Sequence, residues 1–156
     1  MKWRAKFYIV STILGMAVLA QAAGLSTTFV DVTVEGASIG TFTEAHGPEG
    51  KGLLVRNLGD APVQVFVQAI APTPKQMRPG SEVLPDFSWV HFDPPSILVL
   101  AHGEKEIKVS VKIPSRRKYR NKIYQTMVWS RGETAHSQGI SLNAGLLSCL
   151  RIHTAP

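Results

Sequence analysis

The sequence predicts an all-β sandwich of seven to eight strands. Three observations carry that expectation. Period-two alternation of apolar and polar residues recurs from Val30 to Ile152. Turn signals built on Gly, Pro, Asn and Asp separate the alternating runs. No 3.6-residue periodicity appears after residue 22.

Taken in order, Lys2, Arg4 and Lys6 precede an apolar run from Phe7 to Ala20, and Ala20-Gln21-Ala22 supplies a small-x-small pattern. This is the layout of a secretory signal peptide, with cleavage expected after Ala22. The run is shorter than the roughly 20 apolar residues of a membrane span. Residues 23–156 are then expected to form one domain in the periplasm or outside the cell. No stable membrane span is expected after cleavage. Val30, Val32 and Val34 alternate with Asp31, Thr33 and Glu35 as the first strand, which Ala37 to Glu44 extends after Gly36. Gly50 to Gly59 forms a second, ending in the turn Asn57-Leu-Gly-Asp-Ala-Pro62. Val63, Val65, Val67 and Ala69 define a third.

Pro72, Pro74, Pro79 and Pro85 make residues 71–86 a loop or edge excursion, because proline removes ladder donors. Ser88–Phe92 and Ser96–Leu100 flank Asp93-Pro94-Pro95. Ile107, Val109, Val111 and Ile113 face inward on the clearest strand, and Asn121–Ser130 is another. The last runs from Gln138 to Ile152, with Ile140, Leu142, Ala144, Leu146, Leu150 and Ile152 on one face. Leu147 and Cys149 lie on the other.

Several function classes are weakly supported. Three of the 17 basic residues belong to the signal, so the remainder carries 14 basic against 11 acidic side chains, a net charge of +3. That charge does not favour nucleic acid. One cysteine excludes an internal disulfide. His46, His91, His102, His136 and His153 show no metal-ligand spacing, and there is no Gly-x-Ser-x-Gly elbow or phosphate-binding glycine loop. The sequence therefore points to a non-enzymatic chain with no catalytic residues, metal or cofactor.

The order of the strand signals resembles that of PapD-like immunoglobulin-like domains, the fold of the N-terminal domains of pilus-assembly chaperones. Leu54-Val-Arg-Asn-Leu-Gly-Asp-Ala-Pro-Val-Gln-Val-Phe-Val67 looks like their B–C hairpin. Trp89 to Val111 resembles the segment leading through a Gly-centred turn into the E strand, and Ile113-Pro114 with Tyr119–Tyr124 is similar to the E–F junction. The resemblance implies a PapD-like sandwich and a chaperone-like factor in assembly of fimbriae or another surface structure. It implies a surface or fimbrial subunit as partner, met by strand addition at an edge. The basic anchor that the family carries on its first strand has no counterpart, since Leu25–Gly50 contains no Lys or Arg.

The partner-binding candidates are Ile140, Leu142, Leu146, Leu147, Leu150 and Arg151. Arg116, Arg117, Lys118, Arg120 and Lys122 form a dense basic turn, a candidate contact for an anionic partner. Cys149 is a candidate for an intermolecular disulfide and a homodimer, the competing reading being a small apolar residue packed under a loop. A structural subunit of a pilus-like assembly and an envelope-binding module using residues 116–122 remain the alternatives.

Overall fold

The computed structural model describes residues 24–134 and 143–156. The signal segment and its cleavage point, together with Ile140 and Leu142, lie outside the described residues. Among the described residues eleven strands appear in chain order: β1 (Leu25–Thr27), β2 (Asp31–Ala37), β3 (Phe42–Ala45), β4 (Leu53–Asn57), β5 (Val63–Ile70), β6 (Glu82–Val83), β7 (Val90–Asp93), β8 (Ser96–Val99), β9 (Glu104–Lys112), β10 (Ile123–Thr134) and β11 (Asn143–Thr154). The count exceeds seven to eight because breaks divide the longer runs. The turn at residues 38–41 separates β2 from β3, and β6 is a two-residue strand within the Pro-rich loop.

One sheet has the order β1-β4-β9-β3, with β7 also on β9. The other has the order β2-β11-β10-β5-β8, with β6 on β10. Between them, Val63 and Val65 on β5, Ile107, Val109 and Val111 on β9, and Tyr124, Val128, Leu150 and Ile152 from the second sheet are almost wholly buried. Along β5 and β9 every second residue enters this core, as the pleat requires.

Asn57 joins two turns at one end. Only 1% exposed, its amide donates to the carbonyls of Ala61 (2.7 Å), Val99 (3.2 Å) and Leu100 (3.2 Å), while its Oδ1 accepts from Gly59 N (2.9 Å). The β4–β5 turn is thereby tied to the one between β8 and β9, with a buried side chain whose polar groups are satisfied.

The N-terminal run is not one strand. Phe29 N donates to Thr27 Oγ1 (3.0 Å) and Val30 N to Thr28 O (3.1 Å), which bends the chain between β1 and β2. Phe29 is fully buried at this bend, whereas Val30 is 57% exposed. β1 runs antiparallel to β4 in the first sheet, and β2 runs parallel to β11 in the second. Leu25 packs against Gly132 of β10, where any Cβ would meet the Leu25 and Val63 side chains at 2.7 and 2.8 Å.

Candidate functional site: the free upstream half of the last strand

The strand switch decides which part of β11 is covered. β10 pairs with β11 along its length, from Ile123↔His153 to Glu133↔Asn143. β2 pairs on the other side only from Cys149 onward, beginning with Cys149 N donating to Val30 O (2.8 Å). Because backbone groups alternate in direction along an antiparallel strand, the N–H and C=O of Leu147 and Gly145 point the same way as those of Cys149, away from β10. Among the described residues nothing pairs with them there. Among the described residues Gly145–Leu147 is therefore an open sheet edge.

Other edges of this sheet are defended. β8 spans four residues behind the cis Asp93–Pro94 bond and Pro95. β2 carries exposed Asp31 and Glu35 and a positive-φ glycine, Gly36. Short length, prolines, charges and irregular backbone all discourage strand pairing.

Beside the open edge lies an apolar stretch of the outer face. Leu147 stands opposite Trp129 and is 45% exposed, and Phe66 on β5 is 38% exposed. A shallow depression is lined by Ile70, Trp129, Gly145, Leu146 and Leu147, and a smaller one by Phe66, Val67, Gln68, Trp129 and Arg131. The Arg131 guanidinium lies 5.5 Å from the Phe66 ring and 5.9 Å from Trp129, while its Nη2 pairs with Glu133 at 3.0 Å. Gly145 accommodates the indole: a Cβ there would stand 3.1 Å from Trp129 Nε1.

The downstream half of the same face is closed by residues 71–86. Gln125, on the outward side of β10 yet 0% exposed, holds that loop. Its Oε1 accepts from Arg78 N (2.8 Å), its Nε2 donates to Gln76 O (2.7 Å), and its backbone carbonyl accepts from Leu84 N (2.9 Å). Arg78 then reaches Asp31 (2.8 Å) on β2. Cys149 is buried in this half; burial first, and the Asp31 carboxylate second, push its thiol pKa up, with Arg78 and Arg151 partly opposing.

These positions sort the sequence candidates. Leu147 is exposed at the open edge, and Leu146 is half-buried beside it. Leu150 requires a correction: it is fully buried in the core, and its strand segment has β10 on one side and β2 on the other. Arg151 lies in the same doubly paired segment, its Nε 3.9 Å from Asp31. The polar–apolar alternation marks which face is buried, whereas edge coverage depends on where the distant first strand changes sheet. Phe66, Ile70, Trp129 and Arg131 join the site only through cross-strand register. The sequence signal for them was Phe66 and Ile70 on the otherwise polar side of β5.

The basic turn lies at the opposite end of β11. Arg116, Arg117, Lys118 and Arg120 are exposed around a 3-10 turn at Arg117–Tyr119. Tyr119 packs edge-on against Trp89 (5.0 Å) and Tyr124 (6.5 Å), which anchors the turn to the core. Arg120 donates to Pro156 O (3.2 Å), and Lys122 pairs with Glu82 (2.7 Å), a contact that raises the Lys122 pKa.

Comparison with solved structures places this architecture. A PapD-like domain of human CEP192 (its PapD-like domain 7) superposes with a TM-score of 0.62 at 12% identity, covering 96% of this chain and 97% of that one. The fold is PapD-like. The E. coli chaperone DraB matches with a TM-score of 0.53 at 15% identity over 85% of this chain, and the class 5 fimbriae chaperone CfaA with 0.54 at 12% over 85%. This chain spans about half the length of these chaperones, 55% and 57% respectively. No family model matches the sequence, and no curated protein matches it either.

Proposed function

We propose that this chain is an exported, non-enzymatic protein-binding module that acts as a chaperone-like factor in assembling fimbriae or another surface structure. The observation that carries the reading is the open edge at Gly145–Leu147, flanked by Leu147, Trp129, Phe66 and Ile70. A partner strand laid along it would gain main-chain hydrogen bonds from Gly145 and Leu147 and apolar contacts from the neighbouring face. The chaperone and fimbriae-chaperone names of two structural neighbours support the class of activity. The basic residues, apolar run and Ala20-Gln21-Ala22 pattern of the N-terminal segment support an exported setting, and among the described residues no helix is long and apolar enough to cross a membrane.

The test is capture of structural subunits encoded beside this chain, using purified components. Wild type and Arg117→Glu should retain the subunit, whereas Leu147→Lys should weaken capture at least about tenfold through lost apolar burial and an uncompensated charge. Equal capture by Leu147→Lys would refute the edge as the contact. Self-polymerisation of the purified chain through this edge would instead favour a structural subunit.

A further inference from the structure

A second surface, independent of the partner-binding edge, is distinguished by its charge. Arg116, Arg117, Lys118, Arg120 and Lys122 carry five positive charges within seven residues, more than the +3 net charge of residues 23–156. The remainder of that span is therefore slightly acidic, so the charge is concentrated at one end. Glu82, on Lys122, is the acid that pairs with this cluster among the described residues. Arg116, Arg117 and Lys118 are exposed and have no acidic partner there.

An exposed aromatic adjoins the cluster. Phe42, on β3, is 58% exposed and stands opposite Lys112, whose Nζ lies 4.9 Å from the ring centre. His91, also exposed, meets the same ring edge-on at 5.1 Å. The chain then runs from Lys112 into the basic turn, with Gly40 N donating to Ile113 O (2.6 Å) and Gly40 packed against Ser115. Cations around a protruding apolar ring suit an interface that is anionic at its surface and hydrocarbon just beneath.

We propose that this pole docks on the phosphate-bearing surface of an anionic lipid bilayer, with Arg116, Arg117, Lys118 and Lys112 meeting headgroups and Phe42 entering the interfacial layer. The geometry is compatible with partner binding. Thr154, at the end of β11, adjoins the basic turn, its Oγ1 accepting from Lys122 N (2.8 Å). Leu146 lies eight residues up the strand, about 26 Å away at ~3.3 Å per residue. A chain seated on its basic pole holds the open edge away from the membrane.

The core is built from residues between Leu25 and Ile152, so the chain from Ala23 onward carries the whole described fold and is the form to test. It should float with vesicles containing phosphatidylglycerol, bind pure phosphatidylcholine vesicles at least about tenfold less, and lose binding as salt rises. Arg116→Glu/Arg117→Glu/Lys118→Glu should lose at least about tenfold in partitioning while keeping its melting temperature. Phe42→Ala should lose severalfold and leave the remaining binding more salt-sensitive. Leu147→Lys should bind vesicles as wild type does, which keeps this test distinct from that of partner capture. Equal binding to neutral vesicles, or unchanged binding by the charge-reversed variant, would overturn the proposal. Binding to heparin or an acidic protein without binding to vesicles would overturn the lipid assignment.

Discussion

Gln125→Leu removes the side chain that fastens residues 71–86 to the outer face while nearly preserving its volume. Two hydrogen bonds disappear, at 2.8 Å to Arg78 N and 2.7 Å to Gln76 O. Each bond contributes about 0.5–1.5 kcal/mol net, and a partner left buried costs more. The loop is partly exposed and the Leu84 N bond to the Gln125 carbonyl survives, so water can reach the released groups. The expected loss is about 2–3 kcal/mol, a fall of roughly 6–12 °C in melting temperature for a domain of this size. The competing fastener, Arg78–Asp31, joins side chains that are 54% and 40% exposed, and such a pair contributes at most about 1 kcal/mol. Urea unfolding should therefore rank Gln125→Leu well above Asp31→Asn. Maleimide should also label Cys149 faster in Gln125→Leu than in wild type, because the lifted loop uncovers it. Equal midpoints for Gln125→Leu and wild type, or a larger loss from Asp31→Asn, would refute the assignment.

The other predictions are more local. Leu147→Lys should change the urea midpoint by less than about 1 kcal/mol equivalent, because the side chain is 45% exposed; a large loss would mean that Leu147 serves the fold. Gly52→Ala should cost about 3 kcal/mol or more, since its Cβ would collide with the Ile107 carbonyl oxygen. Gly50→Ala, at φ +69 with open space around it, should cost only about 1–2 kcal/mol. Burial raises the thiol pKa of Cys149 and the phenol pKa of Tyr124. The neutral forms thus contribute stability below the ordinary ionisation ranges, and it is lost as pH climbs through the raised folded values. Denaturation midpoints should fall in alkaline buffer, and Cys149→Ala should flatten part of that slope.

Much of the sandwich was legible because burial follows the pleat. Ile107, Val109 and Val111 alternate in sequence and are buried in the fold, and the Asn57–Pro62 turn appears where its residues demand it. The strand switch was not legible. Val30, Val32 and Val34 read as one continuous face, yet Val30 lies outside because Thr27 and Thr28 bend the backbone just before it. The candidate site inherits this limit. Leu147 stood out as an apolar residue on a polar face, and the structure leaves it exposed. Leu150 looked equivalent to Leu146 by period, yet it is fully buried and paired on both sides, whereas Leu146 is half-buried and paired with β10 alone among the described residues. Gln125 resembles any outward polar strand residue; nothing in its neighbourhood signals that a loop fifty residues away closes over it.

Amide hydrogen exchange along β11 reports directly on whether the Gly145–Leu147 edge is open and takes up a partner strand. In the free chain, the Leu146 and Ser148 amides, bonded to β10, should be protected, and those of Gly145 and Leu147 should exchange fast. Binding of a partner subunit should protect Gly145 and Leu147 while leaving Leu150 and Ile152 as they were. Slow exchange at Leu147 in the free chain, or no gain at Gly145 and Leu147 in the complex, would contradict strand addition at this edge.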